Sequence, residues 1–160
     1  MVKRRKSNYR AHYTLLDVVK ASATHPMPEA TRQSWLTRIL LALNNIEVGD
    51  KPGVEDWRIL SDAVNLTETM IDAGLVEDAD GIKERGLGEM AVAGARYLEG
   101  KPMRLSGEGI QVMRALVQDV GDVMAQMPHR DMVKVHIATE RRMAEIVRGK
   151  RRPGDVVVAL

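Results

Sequence analysis

Apolar residues recur every three or four positions along most of the chain, and glycine or proline interrupts them at intervals, which predicts a series of amphipathic helices. Pro26 and Pro28 precede an apolar arc of Trp35, Leu36, Ile39, Leu40, Leu43 and Ile46, ended near Gly49 by a turn-rich run to Gly53. The cleanest pattern follows over residues 54–73. Trp57, Ile59, Leu60, Ala63, Val64, Leu66, Thr67, Met70 and Ile71 share one half of its wheel, while Arg58, Ser61, Asp62, Asn65, Glu68, Thr69 and Asp72 share the other. Gly74 is placed to close that helix in a left-handed conformation.

Asp78 and Asp80 should open a third helix of about 78–99, since acidic groups suit the positive end of the helix dipole. Its expected buried arc is Ile82, Gly86, Leu87, Met90, Ala93, Gly94, Tyr97 and Leu98, and Gly100-Lys101-Pro102 ends it. Ser106 can cap a fourth helix of about 107–127 with Ile110, Met113, Leu116, Val117, Val120, Val123, Met124 and Met127 inward. A fifth starts at Pro128 and runs to Gly149. Residues 12–19 fit a helix or a short strand. The last residues, Asp155 to Leu160, are β-branched enough to favour an extended conformation, so a small β element joining the termini is an open alternative. The expected fold is therefore mainly α: a single-domain bundle of about five helices over residues 11–149. A basic arm (1–10) precedes it, and a basic then apolar extension (150–160) follows.

Composition narrows what such a bundle can do. The 160 residues are 44% hydrophobic and 29% charged, enough to build a core, and contain no cysteine and no phenylalanine. Disulfides, thiol nucleophiles and iron–sulfur clusters are thereby excluded, and five aromatic residues make a poor base-stacking platform. No apolar run approaches the length of a membrane span, and the opening residues lack the apolar stretch of a secretory signal. A soluble, cytoplasmic protein without a membrane partner is expected.

Charge changes the picture more. The formal net charge is only +2, yet residues 1–10 carry +5 through Lys3, Arg4, Arg5, Lys6 and Arg10, and residues 141–152 carry another +5. Residues 11–140 hold 13 basic and 20 acidic groups. An acidic body thus lies between two basic ends. Within the fifth helix Arg130, Lys134, Arg141 and Arg148 fall in an arc of about 40° at the helical period, leading into Lys150, Arg151 and Arg152. Such a row can contact phosphates as point charges and bidentate forks. It can equally meet an acidic protein surface, such as the Asp62, Glu68 and Asp72 side of the 54–73 helix in another copy or another protein. Asn, Gln and Ser are missing from the row, so base-specific reading is not expected.

Motifs for catalysis fail on context. Gly86-Leu87-Gly88-Glu89-Met90-Ala91 has the letters of a dinucleotide fingerprint, but a charged run rather than an apolar strand precedes it. Asp78-Ala79-Asp80-Gly81 resembles part of a calcium loop, yet its register would put Val76 and Leu87 at ligand positions. Gly100-Lys101 is followed by Pro102, which is no phosphate loop, and the four histidines have no zinc-ligand spacing. His136 and Glu140 lie one turn apart inside the apolar face of the fifth helix (Met132, Val133, Val135, Ile137, Met143, Ala144, Ile146, Val147). They form either a buried structural pair or the nucleus of an acid–base site. No metal and no cofactor is expected.

The letters Trp57-x-x-Leu60-x-Asp62-Ala63-x-Asn65-x-x-Glu68, Arg104-Leu105-x-Gly107-x-Gly109, Thr139-Glu140-Arg141-Arg142 and Arg152-Pro153-Gly154-Asp155-Val156-Val157 resemble small helical proteins of unassigned function from proteobacterial phages and mobile elements. The likeness spans about residues 35–157 and brings no catalytic residues with it. It implies a bacterial cytoplasmic setting and an accessory role: blocking a host defence complex, regulating phage or plasmid genes, or assisting assembly. Together these observations lead to a non-enzymatic binding protein whose basic ends contact nucleic acid or a nucleoprotein complex. The alternative is a protein-binding adaptor or inhibitor, dimeric through its helices, that acts through its acidic face.

Overall fold

Thr14 and Asp17 decide how the N-terminal segment folds. The Thr14 N–H donates to the Asp17 carboxylate at 2.6 Å and the Asp17 N–H reaches back to Thr14 Oγ1 at 3.4 Å, a reciprocal capping box. It starts a short helix, α1 (Leu15–Lys20), so the helical alternative for this stretch holds. The computed structural model describes residues 13–153 together with Asp155, Val158 and Leu160. His12 and the cations Lys3, Arg4, Arg5, Lys6 and Arg10 lie outside the described residues.

Five longer helices follow: α2 (Glu29–Val48), α3 (Val54–Asp72), α4 (Ile82–Leu98), α5 (Gly107–Gln126) and α6 (His129–Val147). The fold is the expected mainly helical bundle, with six α-helices among the described residues instead of five. No strand occurs among them; a lone β-bridge pairs Pro26 with Pro128. The expected β element at the termini falls largely outside the described residues.

The punctuation works as its chemistry requires. Gly74 adopts φ +69°, and Leu75 N donates to Met70 O at 2.9 Å, closing α3. Ser106 Oγ accepts from Gly109 N at 2.8 Å and donates to Glu89 Oε2 at 3.0 Å, so the cap of α5 also ties it to α4. Ahead of α4 the chain makes a single 3₁₀ turn, Ala79–Gly81, in which Asp80 itself has φ +61°. Asp78 rather than Asp80 supports the helix start, accepting from Lys83 N at 3.1 Å. An arginine serves as a cap at a distance. Arg104 donates to Ile46 O (2.7 Å) and Gly49 O (2.6 Å) at the C-terminus of α2, where orphan carbonyls and the negative helix end favour a cation.

Helix α3 is central, packing on α2, α4, α5 and α6. Leu60, Val64, Leu66 and Met70 are fully buried there, in one core with Met113 and Leu116 of α5 and Ile46 of α2. In a chain without phenylalanine, methionine fills the irregular space: Met27, Met70, Met90, Met103, Met113, Met124 and Met132 are all buried. The α3–α4 approach is close because Gly86 meets Val64 and Leu116, while Gly94 meets Trp57 and Val158. Trp57 Nε1 donates to Met90 O at 2.8 Å across the same seam.

Several expected core positions are on the surface instead. Leu40 is exposed because α3 and α5 cover an arc of α2 formed by Ile39, Ala42, Leu43 and Ile46, and Leu40 lies about 100° round from Ile39. Tyr97 and Leu98 are exposed because α4 runs antiparallel to α3 and its last turn passes the start of α3. Ala144 and Val147 are exposed on α6, whereas Thr139 is buried and donates to Thr69 Oγ1 at 2.7 Å or Val135 O at 2.9 Å. Thr69 thereby joins the α3–α6 contact instead of the solvent-facing half expected for it.

Candidate polyanion-binding edge

Helix α6 begins under a lid of carbonyls. His129 N donates to His25 O and Arg130 N to Ser22 O, both at 2.8 Å, so the loop before α2 satisfies N–H groups that would otherwise face an anion. The Arg130 guanidinium is engaged as well. Its Nε lies 3.1 Å from Val18 O and 3.3 Å from Ala21 O, where it closes the C-terminus of α1 as Arg104 closes that of α2. Arg130 is half-buried and stands apart from the expected stripe.

Lys134, Arg141 and Arg148 remain together. All three are exposed and follow one another at seven-residue intervals, which sets them nearly in line with a rise of about 10 Å between neighbours. Lys134 Nζ is 3.1 Å from Asp131 Oδ1, and Arg141 Nε is 3.5 Å from Glu145 Oε1, with the Arg141 side chain 81% exposed. Ion pairs of this kind within one helix face are worth little in water, so both cations stay available to a stronger anion.

What carries the row beyond the helix is Arg142, which the sequence pattern left unassigned. It is largely buried; its Nη1 donates to Lys150 O at 3.0 Å and its Nη2 pairs with the Asp155 carboxylate. The Arg152 N–H also donates to that carboxylate. Burial pushes the Asp155 carboxyl up, but the Arg142 and Arg152 interactions outweigh it and hold the group below its ordinary value. The chain after Gly149 is thus fastened back onto α6, leaving Lys150 and Arg151 exposed next to Arg148. Further on, Val158 packs over Gly94 and Trp57, and Arg58 donates to the Leu160 main-chain oxygen at 2.7 Å.

The acidic side of α3 is arranged differently. Lys83 Nζ lies 2.8 Å from Asp72 and 3.8 Å from Glu68, and Arg152 approaches Asp72 at 4.0 Å. The hydrogen bond to Asp72 raises the Lys83 pKa, whereas burial raises that of Glu68 against the opposing effect of Lys83. Asp62 is not with them. It lines a shallow hollow of about 40 Å³ with Trp35, Arg38, Ile39 and Ile59, room for a water or two.

His136 sits among rings: Tyr13 at 5.1 Å between centroids and Trp35 at 6.1 Å, edge-on. Burial pushes its pKa down to about 4, so the imidazole is neutral at pH 7 and a weak base. Burial, and then Asp17 and Glu140, raise the Tyr13 pKa, which places the Glu140 charge near this cluster. The arrangement joins α6 to α2 and to the residue before the N-cap of α1. The sequence pattern named neither Tyr13 nor Trp35 as a partner of His136, because the contact unites three distant segments.

Among the described residues no three His, Asp or Glu side chains form a group that could hold a metal ion. Among the same residues no helix is long and apolar enough to cross a membrane. Comparison of the chain with protein-family models, curated proteins and solved structures returns no match.

Proposed function

We propose that this chain is a non-enzymatic binding protein that docks nucleic acid, alone or within a nucleoprotein complex, along the outer edge of α6. The observation that supports it is the line of exposed Lys134, Arg141 and Arg148, extended by Lys150 and Arg151 where Arg142 folds the chain back. Charges at this spacing meet a phosphate backbone without reading bases, so binding is sequence-tolerant and strongly salt-dependent. Five phosphate contacts correspond to a log–log salt slope of about −4.5 on duplex DNA. The basic N-terminal arm would add to it. A cytoplasmic accessory role in a phage or mobile element, as the resemblance implies, suits such a module.

The adaptor reading through Asp62, Glu68 and Asp72 is less well supported, since Lys83 already pairs with two of these carboxylates and Asp62 stands away from them. The test is a titration of a labelled random duplex with the full chain at two salt concentrations. Binding that weakens steeply with salt is expected; no binding at low salt would contradict the proposal.

A further inference from the structure

Helix α2 turns an unusual face to solvent. Ala30, Ser34, Thr37, Leu41, Asn44 and Val48 are all exposed, and their alternating spacing of four and three residues is that of a heptad seam. No charged residue lies on this line in a chain that is 29% charged. The nearest charges sit at its rims: Glu47 pairs with Arg114 of α5 at 2.7 Å, and Arg38 lines a hollow together with Asp62 of α3. Leu41 and Val48 are 58% and 66% exposed, and Leu40 beside them 52%, a cost in water that a partner would remove.

We propose that this face binds a second copy of the same chain, with the two α2 helices antiparallel about a twofold axis near residue 39. The proposal is independent of the α6 edge. A neutral face gives a polyanion or a strongly charged protein nothing to pair with, and it is complementary to itself. With the axis at residue 39, Val48 packs on Ala30 of the second copy, Leu41 on Thr37, and Asn44 on Ser34. Each layer then joins a larger side chain to a smaller one, and the Asn44–Ser34 layer can hydrogen-bond. Leu40 meets Leu40 of the second copy across the axis, and Gln33 faces Glu47. Residues 30–48 of α2, all but the first of the helix, overlap over about 28 Å. Every contact off the axis is made twice, as an isologous interface requires. Arg38 lies at the rim near the axis, where Asp62 in the shared hollow offsets the approach of its symmetry mate.

Light scattering of the full chain, without nucleic acid, tests the association, and disulfide trapping tests its geometry; the natural sequence has no cysteine to interfere. The expected mass is twice 17.8 kDa, returning to 17.8 kDa in Thr37→Lys plus Leu41→Lys. Both replaced side chains are exposed, so helix content should not change. Leu40→Cys should cross-link to itself on oxidation. Val48→Cys should not, because antiparallel packing sets the two copies of residue 48 about 27 Å apart along the axis. A monomer at high concentration, a dimer that survives the double lysine variant, or Val48→Cys cross-linking as readily as Leu40→Cys would overturn the proposal. Failure of Leu40→Cys to cross-link would overturn the register.

Discussion

Two charged helix faces, the acidic side of α3 and the basic edge of α6, look equally able to receive a partner on a helical wheel, and the fold treats them in opposite ways. Glu68 and Asp72 are met by Lys83 from α4 and by Arg152 from the returning chain. Among the described residues Lys134 and Arg141 find ion-pair partners only on their own helix, at 3.1 and 3.5 Å, and stay exposed. Charge on a surface is available to a ligand only when no other element of the same chain reaches it. Which elements reach depends on packing, and packing is decided by the apolar residues.

Two adjacent arginines put this contrast most sharply. Arg142 is largely buried against Asp155 and Lys150 O, while Arg141 is in solvent. Arg142→Ala leaves a shielded carboxylate without its guanidinium partner, with only the Arg152 side to meet it, and should lower stability by about 3 kcal/mol, measured by denaturant unfolding. Arg141→Ala should change it by less than about 0.5 kcal/mol. Equal effects would erase the distinction.

The next largest effect concerns pH. The unfolded chain takes up a proton at His136 near its ordinary value of about 6.5, whereas the folded chain resists until about 4. Between those values the unfolded state binds more protons, so stability falls as pH drops through the window, by roughly 2 to 3 kcal/mol in all. Unfolding followed from pH 7 to pH 4 should show this slope, and His136→Phe should flatten it. A slope unchanged in that variant would point to other groups.

A smaller effect is expected at Gly94. A Cβ there would lie 2.7 Å from Val158 Cγ1 and 3.2 Å from Trp57 Nε1, so Gly94→Ala should cost about 1 to 2 kcal/mol. It should also make the C-terminal residues more open to proteolysis. Smaller again is Lys83→Met, which removes the shared countercharge of Glu68 and Asp72 and should cost about 1 kcal/mol or less. Nucleic-acid binding should not weaken, because the acidic side of α3 takes no part in it.

Most of the architecture was legible along the chain. Ser106, Gly74 and the proline and glycine clusters bounded the long helices, since caps and breakers act on their own backbone and need no tertiary partner. Helix α1 was ambiguous because it buries none of its own residues and therefore carries no amphipathic period. Leu40, Tyr97, Leu98 and Val147 were misplaced for a related reason: a wheel shows an apolar arc but not where the neighbouring helix stops. The site was legible in composition and only partly in membership. Arg130 left the stripe because carbonyls of Val18 and Ala21 claim it, and Arg142 was overlooked because its partner Asp155 lies 13 residues away, beyond a turn.

The central claim is that the exposed cations of α6 act and the paired carboxylates of α3 do not. It is tested most directly by titrating one labelled duplex at low salt with three proteins: the natural chain, Arg141→Glu plus Arg148→Glu, and Glu68→Gln plus Asp72→Asn. The α6 variant should lose about tenfold or more in affinity, or about 1.4 kcal/mol, with a shallower salt slope, while the α3 variant should keep the natural affinity. Retained binding in the α6 variant would contradict it.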